Sequence, residues 1–406
     1  MSDLVTRAQL TLLSRTLHVP VERLGHLEKL GARRLHELQE NAARVIFDRH
    51  AAVFSRLTLL VPIVPLSISI PLVQKVVPPV MAGRAAGALG VEHPRKAVEA
   101  TTMLEPAYAA QAAPFMDPHA VGQLAEIAPP APVVAIVNEI LRRGDYVTAG
   151  PFLAYATPEL IRAVEVGVHD DEGLIRSASY AYSGESVSLI VRQLLAGSER
   201  RIPRLLGTVV GGSTELRLAA LSVFARCDAD VAAGIGDALV EVASTDELGS
   251  LFATFLDAGA FTETLRFVGH FTADAADSVA GTGVFADPAV FETLTGALAE
   301  DAEAGDWRGL LALAERVDAA ARRVGGTLSH FAPETLRRLA TTLGAAALWP
   351  PLMRVLAAAE PDAQSRIGQV WSGLPEDERR ELEQRLAEAD RAEALTSFAA
   401  TLRLPR

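Results

Sequence analysis

The chain has 406 residues, 50% apolar, 22% charged and only 5% aromatic, so it buries a large core of mostly Ala, Leu and Val, which excludes wholesale disorder. A formal charge of −12 argues against nucleic acid as a partner, because phosphate contact needs net positive surface. The one cysteine, Cys227, excludes an intramolecular disulfide and a cysteine-based zinc site.

Residues 1–56 read as an amphipathic helical head. Leu24, Leu27, Leu30, Leu35 and Leu38 recur at helical spacing with charges between them. Gly31 predicts a break, followed by a long helix over 32–56 with Arg33, Glu37, Glu40 and Arg44 on its wet side. His18, His26, His36 and His50 crowd this head, and the pairs Glu22/His26 and His36/Glu40 each share a helical face. No His-x-x-x-His or Glu-x-x-His spacing completes a metal set, so no resident metal is expected. The opening Met1-Ser2-Asp3-Leu4 has no secretory pattern and the ending Leu404-Pro405-Arg406 no lipidation box, which predicts a cytoplasmic protein.

Residues 57–96 form an apolar connector rich in Pro and Gly. The 18 residues of 57–74 carry no charge, and no acid occurs between Asp48 and Glu92. Pro62, Pro65, Pro71, Pro78 and Pro79 argue against one straight spanning helix, because each interior proline removes a hydrogen bond and clashes with the preceding turn. Gly83 and Gly87, and likewise Ala82, Ala86 and Gly90, have the small-xxx-small spacing that lets backbones approach closely. Three readings compete for this segment: a buried element, a lipid contact, or a dock for another chain. Leu59, Val61, Ile63, Val64 and Ile68, with Lys75 and Arg84, are the candidate contact residues for an anionic membrane surface or an apolar partner.

Residues 97–373 read as short helices joined by tight turns. Asp117-Pro118, Thr157-Pro158 and Asp287-Pro288 place a capping acceptor before a first-turn proline. Ser244-Thr245-Asp246-Glu247 is a further start, and Gly144, Gly207, Gly259 and Gly344 are expected stops. No alternating strand pattern appears, so the expected fold is all-α: a helical head, the connector, and an α-solenoid without a fixed period. Residues 374–406 hold a terminal charged helix with a thin stripe of Leu382, Leu386 and Ala389, expected to cap the array.

The rhythm of 115–130 and 156–164, with Asp117-Pro118 and Thr157-Pro158-Glu159 opening short leucine- and alanine-filled helices, resembles the cytosolic superhelical domain of MgtE-type magnesium transporters. That resemblance, over about 97–200, implies the fold alone. It brings no transport activity and no magnesium ligand.

Chemical motifs are sparse. Gly281-Thr282-Gly283-Val284-Phe285-Ala286 matches a degenerate dinucleotide fingerprint, but it follows helical text rather than a strand and reads as an interhelical turn. No Walker A sequence or GxSxG elbow occurs, so no cofactor is expected. His169, Asp170, Asp171 and Glu172 form the densest acidic cluster, a weak candidate for Mg²⁺ in a helical enzyme and more simply a solvated turn opening a helix. Tyr146, Phe152, Tyr155, Tyr180 and Tyr182 lie close in sequence and form a candidate ligand or partner patch. Phe252, Phe255, Phe261, Phe267 and Phe271 read as core.

Charge is divided unevenly: 1–100 holds 13 basic and 8 acidic residues (+5), and 101–406 holds 25 and 42 (−17). A basic apolar head on an acidic body suggests a non-catalytic adaptor or scaffold. Its repeat would bind a protein partner or a second copy, and its head a membrane surface or apolar partner. The alternatives are a carrier or sensor of a hydrophobic small molecule such as a lipid or isoprenoid, and the Mg-dependent enzyme.

Overall fold

A computed structural model describes residues 3–58, 65–197, 200–300, 302–388 and 392–402. Among them the chain forms 27 α-helices, four 3-10 segments and no strand, so the protein is all-α. It divides into two compact units, Met1–Val231 and Ala232–Arg406. That division falls within the stretch read above as one superhelix.

The first unit holds α1 (Leu4–Leu17), the 3-10 segment Val21–Leu30, α2 (Gly31–Thr58), α3 (Leu66–Val76), α4 (Pro79–Glu92), α5 (Pro94–Met103), α6 (Pro106–Ala112), α7 (Pro118–Ala125), α8 (Pro130–Arg142), α9 (Tyr146–Phe152), α10 (Pro158–Gly167), α11 (Asp171–Ser179), α12 (Gly184–Ala196), α13 (Arg201–Val210) and α14 (Thr214–Phe224). From α3 onward the helices stack in two ranks. α4, α6, α8, α10 and α12 each pack on the next of their rank, and so do α3, α5, α7, α9, α11 and α13. Neighbour-on-neighbour stacking of this kind is how a helical repeat buries its core.

The starts and stops follow the predicted chemistry. The carboxylates of Asp117 and Asp287 and the hydroxyl of Thr157 each accept a first-turn backbone N–H. Gly31, Gly144 and Gly259 adopt positive φ at helix boundaries, where a side chain would be strained. Gly207 and Gly344 lie inside helices, which end instead at Val210 and Ala345.

The connector resolves into two helices of opposite character. α4 is a hub that packs on α2, α5, α6 and α7, and its small residues permit this. A Cβ built at Gly83 would lie 2.9 Å from the Phe115 Cβ, one at Gly87 would overlap the Phe47 ring, and one at Gly90 would lie 3.4 Å from a Leu124 methyl. Each glycine thus receives a different neighbour. α3 begins after Pro65 and carries Pro71 internally.

The second unit holds α15 (Ala229–Val242, begun in the first), α16 (Thr245–Asp257), α17 (Phe261–Val268), α18 (Ala273–Ala280), α19 (Gly283–Ala286), α20 (Pro288–Ala297), α21 (Ala304–Ala314), α22 (Asp318–Ser329), α23 (Pro333–Ala345), α24 (Trp349–Ala357), α25 (Pro361–Trp371), α26 (Glu376–Ala387) and α27 (Thr396–Leu402). The same alternation recurs, with α20, α22, α24 and α26 in one rank and α21, α23, α25 and α27 in the other. Ser244 and Glu247 form a reciprocal capping box on α16. Phe252, Phe255 and Phe267 are buried as expected, and Trp349, Trp371 and Phe398 stack edge-on beyond them. In the Gly281–Ala286 motif, Gly281 and Thr282 form the turn between α18 and α19 and the rest is α19, and the buried Thr282 hydroxyl donates to the Val279 carbonyl. Leu382 and Leu386 are buried on α26, while Ala389 lies outside the described residues.

Long-range arginine ties link successive layers. Arg192 pairs with Asp230, 38 residues on, and Arg266 with Asp306, 40 residues on. Arg316 reaches back 39 residues to Asp277, Arg354 back 39 to Glu315, and Arg338 back 39 to the Ala299 carbonyl. The starts of same-rank helices advance 24 residues from α6 to α8 (Pro106 to Pro130) and 31 from α22 to α24 (Asp318 to Trp349), so each tie reaches past one two-helix layer into the next.

Cys227 is buried, its Sγ donating to the Val223 carbonyl at 3.4 Å. Burial pushes the thiol up to about 12, against the opposing pull of Arg226. Compared with an ordinary cysteine near 9, this cuts the thiolate fraction at pH 8 about a thousandfold. Iodoacetamide at pH 8 is therefore expected to leave the native protein unlabelled and to label it stoichiometrically in 6–8 M urea (about the usual denaturing range). Fast labelling of native protein would show that the α14 end opens.

Candidate functional site

Two surfaces carry the residues singled out from sequence. The first is α3. Leu66 and Ile70 are buried against Ala100 and Leu104, anchoring one side of the helix. Gln74 accepts the Glu105 backbone N–H at 2.6 Å and the Tyr108 hydroxyl donates to the Val77 carbonyl at 2.8 Å, which fixes its C-terminal end. The other side turns apolar residues outward: Ile68 is 66% exposed, Leu72 60% and Val76 70%. Their spacing of four places them along one stripe. Lys75 stands exposed beside it, and no acid lies on the helix. Arg84, on α4, is half-buried. Leu59, Val61, Ile63 and Val64 lie outside the described residues.

The second surface is the tyrosine face of α9 to α11 and the turn after α11. Tyr182 meets α2 and Tyr155 meets α7, while Tyr146 and Tyr180 meet neighbours within the face itself. Tyr182 stacks on His36 of α2, ring centroids 3.8 Å apart and 13° from parallel. The Tyr155 ring lies over Gly122 and its hydroxyl is 3.0 Å from His119 Nδ1. Tyr180 fills the space beside Gly150, and burial raises its phenol above the ordinary value, with Arg176 and Arg15 pulling the other way. Tyr146 carries the Arg176 guanidinium 5.8 Å from its ring centre. Phe152 is the exception: it packs against Ala110, Ala113 and Ile140 as core.

Beside these rings sits a group that sequence reasoning missed. Asp145, just before α9, takes the Arg15 guanidinium in a two-pronged pair at 2.5 and 2.8 Å. The Thr148 hydroxyl donates to the same carboxylate at 2.8 Å and holds it in place. The partners are 130 residues apart, so no local spacing could have linked them. His36 completes the contact, with Nδ1 3.2 Å from the Gln9 Oε1 and Nε2 3.5 Å from Glu40. Burial lowers its pKa despite the pull of Glu40 and Glu37. The imidazole offers its flat face to Tyr182 and its two nitrogens to Gln9 and Glu40.

The acidic cluster is committed to structure. Asp170 caps α11 by accepting the Gly173 N–H at 2.8 Å. Asp171 pairs with Arg201 at 2.5 Å and Arg204 at 2.8 Å, and Glu172 with Arg176 at 2.8 Å. His169 is exposed. Among the described residues no group of three or more His, Cys, Asp or Glu is arranged to hold a metal, and no helix is long and apolar enough to cross a membrane.

No protein-family model matches this chain, and no curated protein matches it.

Proposed function

We propose that the protein is a non-catalytic helical-repeat adaptor that sits peripherally on an anionic membrane surface from the cytoplasmic side, touching the lipid through α3. The observation that carries this reading is the stripe Ile68, Leu72 and Val76, two-thirds exposed on an acid-free helix that also bears Lys75. A helix lying in an interface needs an apolar face and a basic fringe, and α3 has both. Burying the exposed part of three such side chains contributes about 1–2 kcal/mol each. A lysine near an anionic surface adds about 1 kcal/mol. The sum is near that of one acyl chain, which gives reversible attachment rather than permanent anchoring. The charge split supports the orientation: the +5 region contains α3, and the −17 remainder is repelled by anionic lipid.

Flotation with vesicles of phosphatidylcholine and phosphatidylserine tests this. Wild type is expected to float at low salt and much less at high salt, and weakly with phosphatidylcholine alone. The triple change Ile68→Ser, Leu72→Ser, Val76→Ser should keep the helical circular dichroism and the melting temperature, and should cut flotation at least about tenfold. Wild type that stays at the bottom at low salt would overturn the proposal. So would a triple variant that floats normally, or one whose main effect is to split a dimer, since the stripe would then belong to a second copy.

A further inference from the structure

The apolar core of the first helices closes on itself. Leu10, Leu13 and Leu35 are buried together, and the residues packed around them are Val21, Leu24, Leu27 and Leu30. What joins this small core to the tyrosine face is of another kind: the Arg15–Asp145 ion pair and the His36–Tyr182 stack. On the side of α1 turned away from Leu10 and Leu13, only Ala8 and Leu12 are buried apolar residues. Gln9 is fully buried with its Oε1 on His36, and its Nε2 has no partner. A buried amide N–H without an acceptor opposes docking. A self-contained core joined to its neighbour by ionic, planar and imperfectly satisfied contacts has the composition of a transient interface rather than of a domain interior.

The second half of α2 is held differently. Phe47 lies against Gly87 of α4, in the hub of the unit. α1 also packs on α14, and Gln39 donates to the Thr16 hydroxyl at 3.2 Å, so 4–38 detaches only when these contacts open together with the Arg15–Asp145 pair.

We propose that the face built from Asp145, Tyr180 and Tyr182 is a docking surface for a basic amphipathic helix, that residues 4–38 occupy it in cis, and that an arginine-bearing helix of a protein partner displaces them. The face selects such a helix by chemistry. The Asp145 carboxylate, fixed by Thr148, presents two oxygens to a guanidinium fork, which lysine cannot match. The Tyr182 ring offers a flat face to a planar side chain at the place His36 fills. The inference names the partner side of the adaptor and is independent of α3 and of lipid.

Hydrogen exchange on the full-length chain tests the first half. In wild type the amides of 4–17 and 31–38 are expected to exchange through an opening of their own, at least about tenfold faster than those of α11 and α13. Arg15→Ala should speed exchange about tenfold more, both there and in 145–152 and 177–183, and leave α20 to α23 unchanged. The charge swap Arg15→Glu with Asp145→Arg should restore wild-type protection. A labelled peptide of residues 3–49 tests the second half. It should bind full-length Arg15→Glu protein at least tenfold tighter than wild type, whose face is filled, and should not bind when Asp145→Arg is also present. The proposal is overturned if 4–38 exchanges only together with α11 and α13. It is equally overturned if Arg15→Ala leaves 145–152 and 177–183 protected, or if the peptide binds wild type and Arg15→Glu protein alike.

Discussion

Gly309→Ala is expected to destabilise the second unit by about 3 kcal/mol, while Gly326→Ala, the same change seventeen positions along, stabilises it. At Gly309 in α21 an added Cβ would sit 2.6 Å from the carbonyl carbon of Leu265 in α17 and 2.9 Å from its Cα. Beside this crossing, a Cβ at Gly269 would meet the Gly305 carbonyl at 2.9 Å and the Gly309 nitrogen at 3.0 Å. The obstacle is backbone, so no side-chain rotation relieves it. α17 and α21 would have to separate, loosening the buried Leu265, Phe267, Leu310 and Leu313. Overpacking of this kind costs about 1–3 kcal/mol, and a backbone obstacle puts it at the upper end. The melting temperature should fall about 10 °C for a unit of this size. Gly326 lies inside α22 with nothing within 4 Å of a new Cβ. There alanine gains about 1 kcal/mol from helix propensity. Urea or thermal melts of the two variants decide the matter, and a Gly309→Ala protein as stable as wild type would show that the helices do not approach this closely.

Arg201→Met is expected to cost the first unit about 3–5 kcal/mol. The Arg201 side chain is completely enclosed. Its Nη1 donates to the Glu165 carbonyl at 2.9 Å and the Val168 carbonyl at 2.7 Å, closing the C-terminal end of α10. Its Nη2 lies 2.5 Å from Asp171. Burial lowers its pKa against the pull of Asp171, so the site tolerates the cation only because these partners surround it. Methionine would fill the volume but leave two carbonyls unpaired and Asp171 supported only by the exposed Arg204. Arg201→Lys should recover part of the loss, because one ammonium cannot serve three acceptors in the geometry of a fork. Arg204→Met, which removes the solvent-facing partner, should cost under about 1 kcal/mol. Urea unfolding, with Cys227 alkylation marking the opening of this unit, separates the three variants. Arg201→Met no weaker than Arg204→Met would mean the buried network contributes nothing.

Local chemistry made much of the fold readable. Capping by Asp117, Thr157, Ser244 and Asp287 needs only neighbours within three residues, and the chain stops at Gly144 and Gly259 because only glycine adopts those angles cheaply. The close approach at Gly83, Gly87 and Gly90 was also legible, because it depends on what those residues lack. Gly207 and Gly344 misled because a glycine inside a helix carries the same letter as one that ends it. The ties between layers were hidden for a different reason: they differ in direction, with Arg192 and Arg266 reaching forward and Arg316 and Arg354 reaching back, so no motif repeats. At the candidate surfaces, the tyrosines were visible as a cluster. Asp145 was not, because its meaning comes from Arg15, which is distant in sequence. The acidic cluster read as a loop of free carboxylates only until Arg201 and Arg204 came back beside it.

The regular spacing of the interlayer ties bears on how such a chain responds to force. Each tie joins points 38 to 40 residues apart, so it spans one two-helix layer and part of the next. A two-helix layer that unfolds under tension releases about 80–105 Å of polypeptide at roughly 3.4 Å per residue. The next layer then meets the load with its own arginine still in place. Because stacked layers contact only their neighbours, such an array is expected to lengthen layer by layer under load rather than in one step.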